Sequence, residues 1–513
     1  MDSLLDTSVV ARVREHAQER PHKTALVVED REVSYGLLWR SSVVASERLA
    51  AHGAVAGSRV VLQASHTLAY VAAYLGTTLL GAVAVPYEHD LPDTAVAELA
   101  DRVGAACVMA DHEVAGAPVT LPMEASFEAG PASVLAADPV PAAAAGDLAE
   151  LLLTTGTTGR SKVVALSHRA VMSVVTNIIC ATGIEEDNVS LVPMPLNHVF
   201  ALRRLQTGLT MGASVVLING VVSLKKVFGA LKAYGVTSLA LVPSALAFIE
   251  RTTKDFLGKF AGQIRYVESS SAPLPSATRA WLRGVLPQSR LYNSYGCTES
   301  TACCMVEYSH RADDVACVGS PCATAEIKIL DPASGEPLES GYGRVAIGGT
   351  GVMEGYWGDK EATAATLADG MVLTNDLGCL REGELYVQGR LDDVAIIGGN
   401  NVSPVEVEDE INRFDGISEC ACVKASDPIS GDRLVLFVVW DGGDEDVRGA
   451  RLTMYMRDRL EAYKIPSEVH GLAAIPRTYN GKIDRKELAR LIDGCGSARD
   501  SEGSAKQVHE EER

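Results

Sequence analysis

Short apolar runs alternate with helix-period stretches through most of the first 390 residues. "SRVVLQA" (58–64), "ASVVLI" (213–218) and "TSLALV" (237–242) are brief and β-branched, which predicts buried strands. Amphipathic helices lie between such runs; "ASERLAAHGAV" closes one at Gly53, where a glycine suits the left-handed position past a helix end. This alternation predicts a layered α/β fold. From Gly389 the pattern changes, and "GRLDDVAIIGGNNVSPVEVEDEINRF" (389–414) predicts a compact α+β unit. "GPASVLAADPVPAAAAGD" (130–147) reads as a Pro/Ala-rich surface connection, and the polar segment from Gly494 as a disordered tail. No internal repeat is visible.

At 513 residues the chain exceeds a single core, so two or three subdomains are expected. A net charge of −20 argues against nucleic acid or an anionic membrane as the main partner. Any anionic substrate must then be held by local donors and cations. The N-terminus shows no export signal and no apolar run reaches spanning length, which predicts a cytoplasmic protein. The eleven cysteines match no usual zinc spacing and read as small hydrophobes in a reducing compartment.

"LLLTTGTTGRSKVVALSH" (151–168) packs hydroxyls, glycines and one lysine between an apolar run and a helix. Leu151–Leu153 read as a strand end, and Ser167 as the cap of a helix with Val171, Val174, Val175 and Ile178 on one face. The strand-to-helix turn between them offers backbone N–H groups, small donors and Lys162, as a polyphosphate requires. It is not a Walker A loop: the spacing from Gly156 to Lys162 is wrong and Val163 follows the lysine. Alone, a solvated Gly/Thr loop accounts for it equally well.

Four more stretches follow in order: "NSYGCTES" (293–300), "LTNDLG" (373–378), which places Asp376 at a turn, "GRLDDVAIIGGNNVSPVEVE" (389–408) and "IPRTYNGKIDRKEL" (475–488). Taken singly, Tyr295 is a core aromatic, Asp376 a turn former, Arg390 and Asp392 a surface pair, and Lys482 a solvated turn lysine. Taken together with the Thr loop, and with the weaker "GVMEGYWGDKEAT" (351–363), they resemble the ANL adenylating superfamily over residues 20 to 490. That superfamily includes acyl- and aryl-CoA synthetases, peptide-synthetase adenylation domains and luciferases.

The resemblance implies an α/β protein with a large, multi-subdomain N-terminal domain of layered sheets and helices (1–389). A hinge (390–393, pivoting at Asp392) then leads to a small mobile α+β lid (394–493) and a tail (494–513). It implies ATP, Mg²⁺ and coenzyme A as cofactors. Thr154, Thr155, Gly156, Thr157, Thr158, Gly159 and Lys162 would grip the β- and γ-phosphates. Tyr295 would stack on adenine, beside Ser270, Asn293, Ser294 and Thr298. Asp376 and Arg390 would hold the ribose, and Glu299 with Thr154 the metal. Lys482, on the lid, would bridge carboxylate and triphosphate as AMP is transferred; Gly398 and Gly399 would line a thiol tunnel once the lid turns. Three departures stand out: Ser161 for proline, Val163 for glycine, and Asn375 for the glycine before Asp376.

"VPMPLNHVFALRRLQTGLTMGASVVL" (192–217) is similar to 4-coumarate–CoA ligase and its relatives. His198 would then sit beside the substrate carboxylate, the alternative being a satisfied core histidine. Phe200, Ser271 and Gly296 would line the acyl pocket. No aspartate suited to a substrate ammonium occurs there, which favours an aromatic or apolar acid. The leading expectation is an ATP-dependent carboxylate–CoA ligase. The alternatives are transfer of the acyl group to a carrier-protein phosphopantetheine or an amine, and a non-enzymatic nucleotide binder.

Overall fold

The structure, a computed structural model, describes residues 2–123, 143–154, 161–309, 316–442, 445–478 and 482–492. Residues 130–142 of the connection expected at 130–147, and the tail from 494, fall outside these residues. The strands form three sheets, two in the first 390 residues and one after them. The larger sheet has a parallel half, where Thr24–Val28, Ser214–Leu217, Val189–Val192, Ser238–Ala240, Tyr266–Ser270 and Arg290–Tyr295 lie side by side. An antiparallel half continues from Cys304–Glu307 to Met371–Arg381 and Glu384–Arg390. The second sheet is built on Arg59–Gln63, Val83–Tyr87 and Ala105–Ala110, all parallel. The expected strands at 58–64, 213–218 and 237–242 are all present.

Helices Val9–Glu19, Tyr35–Ala51, Leu68–Leu79, His168–Thr182 and Val199–Met211 join both sheets in one core. Leu68–Leu79, "LAYVAAYLGTTL", is buried from Ala69 to Leu79, as an all-apolar helix between two layers must be. The helix Tyr35–Ala51 ends as expected, with Gly53 at φ 86°.

The third sheet belongs to the small C-terminal unit. Ala395–Ile397, Asn400–Val402, Ile417–Asp427, Gly431–Trp440 and Glu468–Gly471 form it, and Pro404–Ile411 packs on its apolar face. That helix also docks on the body: Asp409 accepts from the backbone N–H and hydroxyl of Ser276, and Arg413 donates to the same hydroxyl at 3.0 Å.

Two local expectations are corrected. The Thr loop does not join a strand to a helix: Lys162–Ser167 is itself a strand, antiparallel to Leu148–Thr154 and paired on its other side with Gly355–Tyr356. Val163 pairs with Leu153, and Val164 pairs with Leu152 on one side and Tyr356 on the other, so β-branched residues expected in a turn are held in a sheet. Ser167 still caps the helix that follows, accepting from Ala170 N–H at 3.3 Å. Asp376 is not at a turn either; it lies within Met371–Arg381, opposite Arg390.

Candidate active site

Thr154 and Lys162, a register pair, form the described ends of the Thr loop. Thr155, Gly156, Thr157, Thr158 and Gly159 lie outside the described residues. Both loop departures are absorbed locally. The Ser161 carbonyl accepts from Arg102 at 2.6 Å, and Val163 is buried in the core of the second sheet. The Lys162 ammonium stands over the Tyr356 ring, 4.4 Å from its centroid. The Tyr356 hydroxyl in turn donates to Glu299 Oε1 at 2.7 Å. Loop, aromatic and carboxylate therefore form one continuous wall. Tyr356 escaped the sequence reading although it lies in the quoted "GVMEGYWGDKEAT"; its aromatic character was the available signal.

Glu299 retains its second oxygen for a cation. Among the described residues no three His, Cys, Asp or Glu side chains gather as a metal cage. One carboxylate and the Thr154 hydroxyl fit Mg²⁺, a hard cation that keeps substrate phosphates and water among its ligands.

The strand Arg290–Tyr295 carries Asn293, Ser294 and Tyr295 to the upper rim of the parallel half-sheet. Ser270, on the neighbouring strand, donates to the Ser294 carbonyl at 3.0 Å. Asn293 is buried, and its Oδ1 finds no partner among the described residues. Gly296 begins the loop to Cys304; a side chain there would meet the Ala302 backbone nitrogen at 2.6 Å, so only glycine fits. Thr298 and Glu299 follow on this loop, half-buried. Ser271 is exposed at φ 76°, a left-handed position costly for any residue but glycine.

Asp376 accepts from the Tyr295 hydroxyl at 2.6 Å. Burial pushes its carboxyl pKa up, against the pull of Tyr295, Arg390 and Lys482. The same burial and the Asp376 charge hold the Tyr295 phenol well above its ordinary range. The departure at Asn375 has a structural consequence: its amide donates to Asp392, in the expected hinge. The turn there is closed by Asp393 and Val394 N–H groups on the Arg390 carbonyl.

Lys482 is brought in by the lid. Thr478 N–H donates to its carbonyl at 2.8 Å, and Arg477 and Ile483 bridge around it. Three residues later Arg485 clamps Glu408 with two bonds, at 2.6 and 2.9 Å, fixing this segment to the lid core. The Lys482 side chain is open to water at the cleft mouth, yet protein surrounds it. That partial desolvation, with the Arg390 charge, lowers its pKa; Asp376 and Glu299 oppose the shift. His198, at the N-terminal end of Val199–Met211, feels the same ammonium. Burial first, then Lys482, lowers its pKa to about 4, so the imidazole is neutral near pH 7. Phe200 follows, buried.

The structure thus brings Lys162, Glu299, Tyr295, Asp376, Arg390, Lys482 and His198 to one cleft. Gly398 and Gly399 are apart from it. They form an exposed hairpin turn at φ 57° and 82°, with open space where side chains would be.

The family model "AMP-binding enzyme" matches residues 13–357, and its C-terminal domain model matches 406–482. A feruloyl-CoA synthase of Amycolatopsis sp is 28% identical over 482 residues, 92% of this chain and 97% of that protein. 4-Coumarate–CoA ligase 2 of Oryza sativa subsp. japonica is 31% identical over 367 residues, 68% of this chain and 63% of that protein. Among solved structures, o-succinylbenzoate CoA synthetase (MenE) from Bacillus subtilis, in complex with the acyl-adenylate OSB-AMP, superposes with a TM-score of 0.81. It is 25% identical, with 94% of this chain and 98% of that chain covered. No described helix is long and apolar enough to cross a membrane. Two domain matches in the right order, which together cover most of the chain, establish that the chain belongs to the AMP-binding enzymes of the ANL adenylating superfamily.

Proposed function

We propose that this enzyme is an ATP-dependent carboxylate–CoA ligase acting on an aromatic or apolar acid. The carboxylate attacks the α-phosphate of ATP, pyrophosphate leaves, and acyl-AMP forms; the CoA thiol then displaces AMP to give the thioester. The observation that carries this reading is the meeting of Lys482 with Asp376, Glu299, Arg390 and His198 across the cleft. Two anions must approach for the first step. A lid cation poised between a ribose-type acceptor and a metal-type carboxylate offsets their repulsion where it is greatest.

The remaining roles follow from position. Thr154, the Thr/Gly loop and Lys162 hold the β- and γ-phosphates, and Tyr295 stacks on adenine beside Ser270, Asn293, Ser294 and Thr298. Asp376 and Arg390 take the ribose hydroxyls, since a carboxylate only accepts and a guanidinium only donates. Glu299 and Thr154 would hold Mg²⁺, whose charge would offset that of the phosphates. Neutral His198 sits by the carboxylate without adding a second fixed cation, and Phe200, Ser271 and Gly296 face the acyl group. Rotation about Asp392 then removes Lys482 and presents Gly398 and Gly399 to the incoming thiol.

The test is pyrophosphate release across a panel of acids, with and without CoA. Acid-dependent release that CoA accelerates supports the ligase. Release indifferent to CoA points to a carrier-protein or amine acceptor, and ATP binding without release refutes adenylation.

A further inference from the structure

The body helix Ser276–Val285 begins without a cap of its own. Pro275 precedes it and offers no side-chain acceptor, so its first N–H groups need one from elsewhere. The lid supplies it. Asp409 Oδ1 accepts from the Ser276 N–H at 2.9 Å, and the Ser276 hydroxyl lies 3.0 Å from both carboxylate oxygens. A carboxylate is also the charge that a helix N-terminus favours. Arg413, four residues on, donates from Nε to that hydroxyl at 3.0 Å and from Nη2 to Asp409 Oδ2 at 2.9 Å. Ser276 and Asp409 are 4% and 8% exposed, so a contact between two domains is nearly shielded from water.

Both ends of this contact lead to the cleft. On the lid, Glu408 is the neighbour of Asp409 in the same helix, but its side chain turns into the lid core. There it accepts from the Cys422 N–H at 2.6 Å and holds Arg485 with two bonds. Arg485 lies three residues after Lys482, so a short line of bonds runs from the lid lysine to the docked carboxylate. On the body, Ser276 closes the segment that leaves the strand Tyr266–Ser270 through Ser271. Ser270 and Ser271 belong to the walls assigned above to the nucleotide and the acyl group.

We infer that Asp409 is a positioning residue that, docked on Ser276 beside Arg413, latches the lid where Lys482 serves adenylation. This role rests on the carboxylate–CoA ligase reading and belongs to its first step. The latch favours that arrangement because leaving it uncovers the Ser276 N–H and parts a buried, charge-assisted contact. Rotation of the lid for the thioester step breaks the same bonds. A latch therefore speeds one half-reaction and restrains the other, whereas a merely structural contact supports both alike.

The experiment measures the two half-reactions separately in the full chain, with the acid that the parent uses best in the panel and its synthetic acyl-AMP. Asp409→Ala is expected to lower acid-dependent pyrophosphate release about tenfold, the loss of one charge-assisted hydrogen bond. The ATP dissociation constant should stay that of the parent, and thioester formation from acyl-AMP and CoA should equal or exceed the parent rate. Asp409→Asn still accepts from the Ser276 N–H and should fall between parent and Asp409→Ala. Ser276→Ala leaves the lid untouched and should move pyrophosphate release in the same direction, by about threefold. If Asp409→Ala fails to fold, Ser276→Ala decides. Equal loss of both half-reactions, or unchanged pyrophosphate release in both alanine variants, overturns the latch and leaves the ligase reading standing. No release from the parent with any acid overturns the ligase reading and the role of Asp409 with it.

Discussion

On the body side of the cleft, several candidate site residues brace one another: Tyr295 on Asp376, Tyr356 on Glu299, Lys162 over Tyr356. On the lid side, Lys482 is fixed through its carbonyl and through Arg485 three residues on. Its ammonium makes no hydrogen bond to a described residue and meets its neighbours through charge alone. The body wall is preorganised before any ligand arrives, as a binding surface used in both half-reactions must be. The lid wall presents one cation on a short, braced segment whose ammonium has no hydrogen bond of its own to break, although the lid as a whole must release the Asp409 and Arg413 contacts to Ser276 when it moves. A change in the body should therefore damage nucleotide binding throughout, and a change at the lid lysine should damage one step.

The largest expected effect comes from removing the lid charge. Lys482→Ala should lower acid-dependent pyrophosphate release by about 100- to 1,000-fold while the ATP dissociation constant stays near that of the parent. A comparable loss of ATP affinity would erase the distinction between the two walls. Next comes the body: Asp376→Ala removes the ribose acceptor and strands the Tyr295 hydroxyl, costing about 1–3 kcal/mol in nucleotide binding. Isothermal titration with ATP measures it, and an unchanged affinity removes Asp376 from the ribose site.

A smaller effect is expected where body and lid are tied. Asn375→Gly deletes the amide that donates to Asp392. Rapid-quench measurement should show the thioester-forming step altered severalfold with adenylation unchanged; altered adenylation alone would mean that this contact does not govern the lid.

The smallest concerns pH. The folded His198 pKa of about 4 lies below its ordinary 6.5. Below about pH 6.5 the unfolded chain takes up a proton that the folded site resists, so this group's contribution to stability falls as pH drops towards 4. Adenylation should show no acid limb near pH 6.5. A limb there, abolished by His198→Gln, would contradict a neutral imidazole in the working cleft.

What could be read from the sequence was local. Ser167 announces its helix because cap and first turn lie within four residues, and the helix end at Gly53 is equally self-contained. Lys162–Ser167 was misread because the partner that makes it a central strand, Gly355–Tyr356, lies about 190 residues away. Asp376 looked like a turn residue because its neighbours Asn375 and Gly378 are turn formers, yet it lies in a strand paired with the hairpin strand that begins at Glu384. The ordered motifs pointed to Lys482, Asp376, Glu299 and Tyr295 together, but not to the hydroxyls that brace them. Nor did they show that Asp409 of the lid would find Ser276 of the body, 133 positions back.

The division of labour between the walls is tested most directly by supplying preformed acyl-AMP and CoA to Lys482→Ala and measuring thioester formation beside pyrophosphate release. The account predicts thioester formation within a fewfold of the parent while adenylation falls by about two to three orders of magnitude. Equal loss of both half-reactions would contradict it.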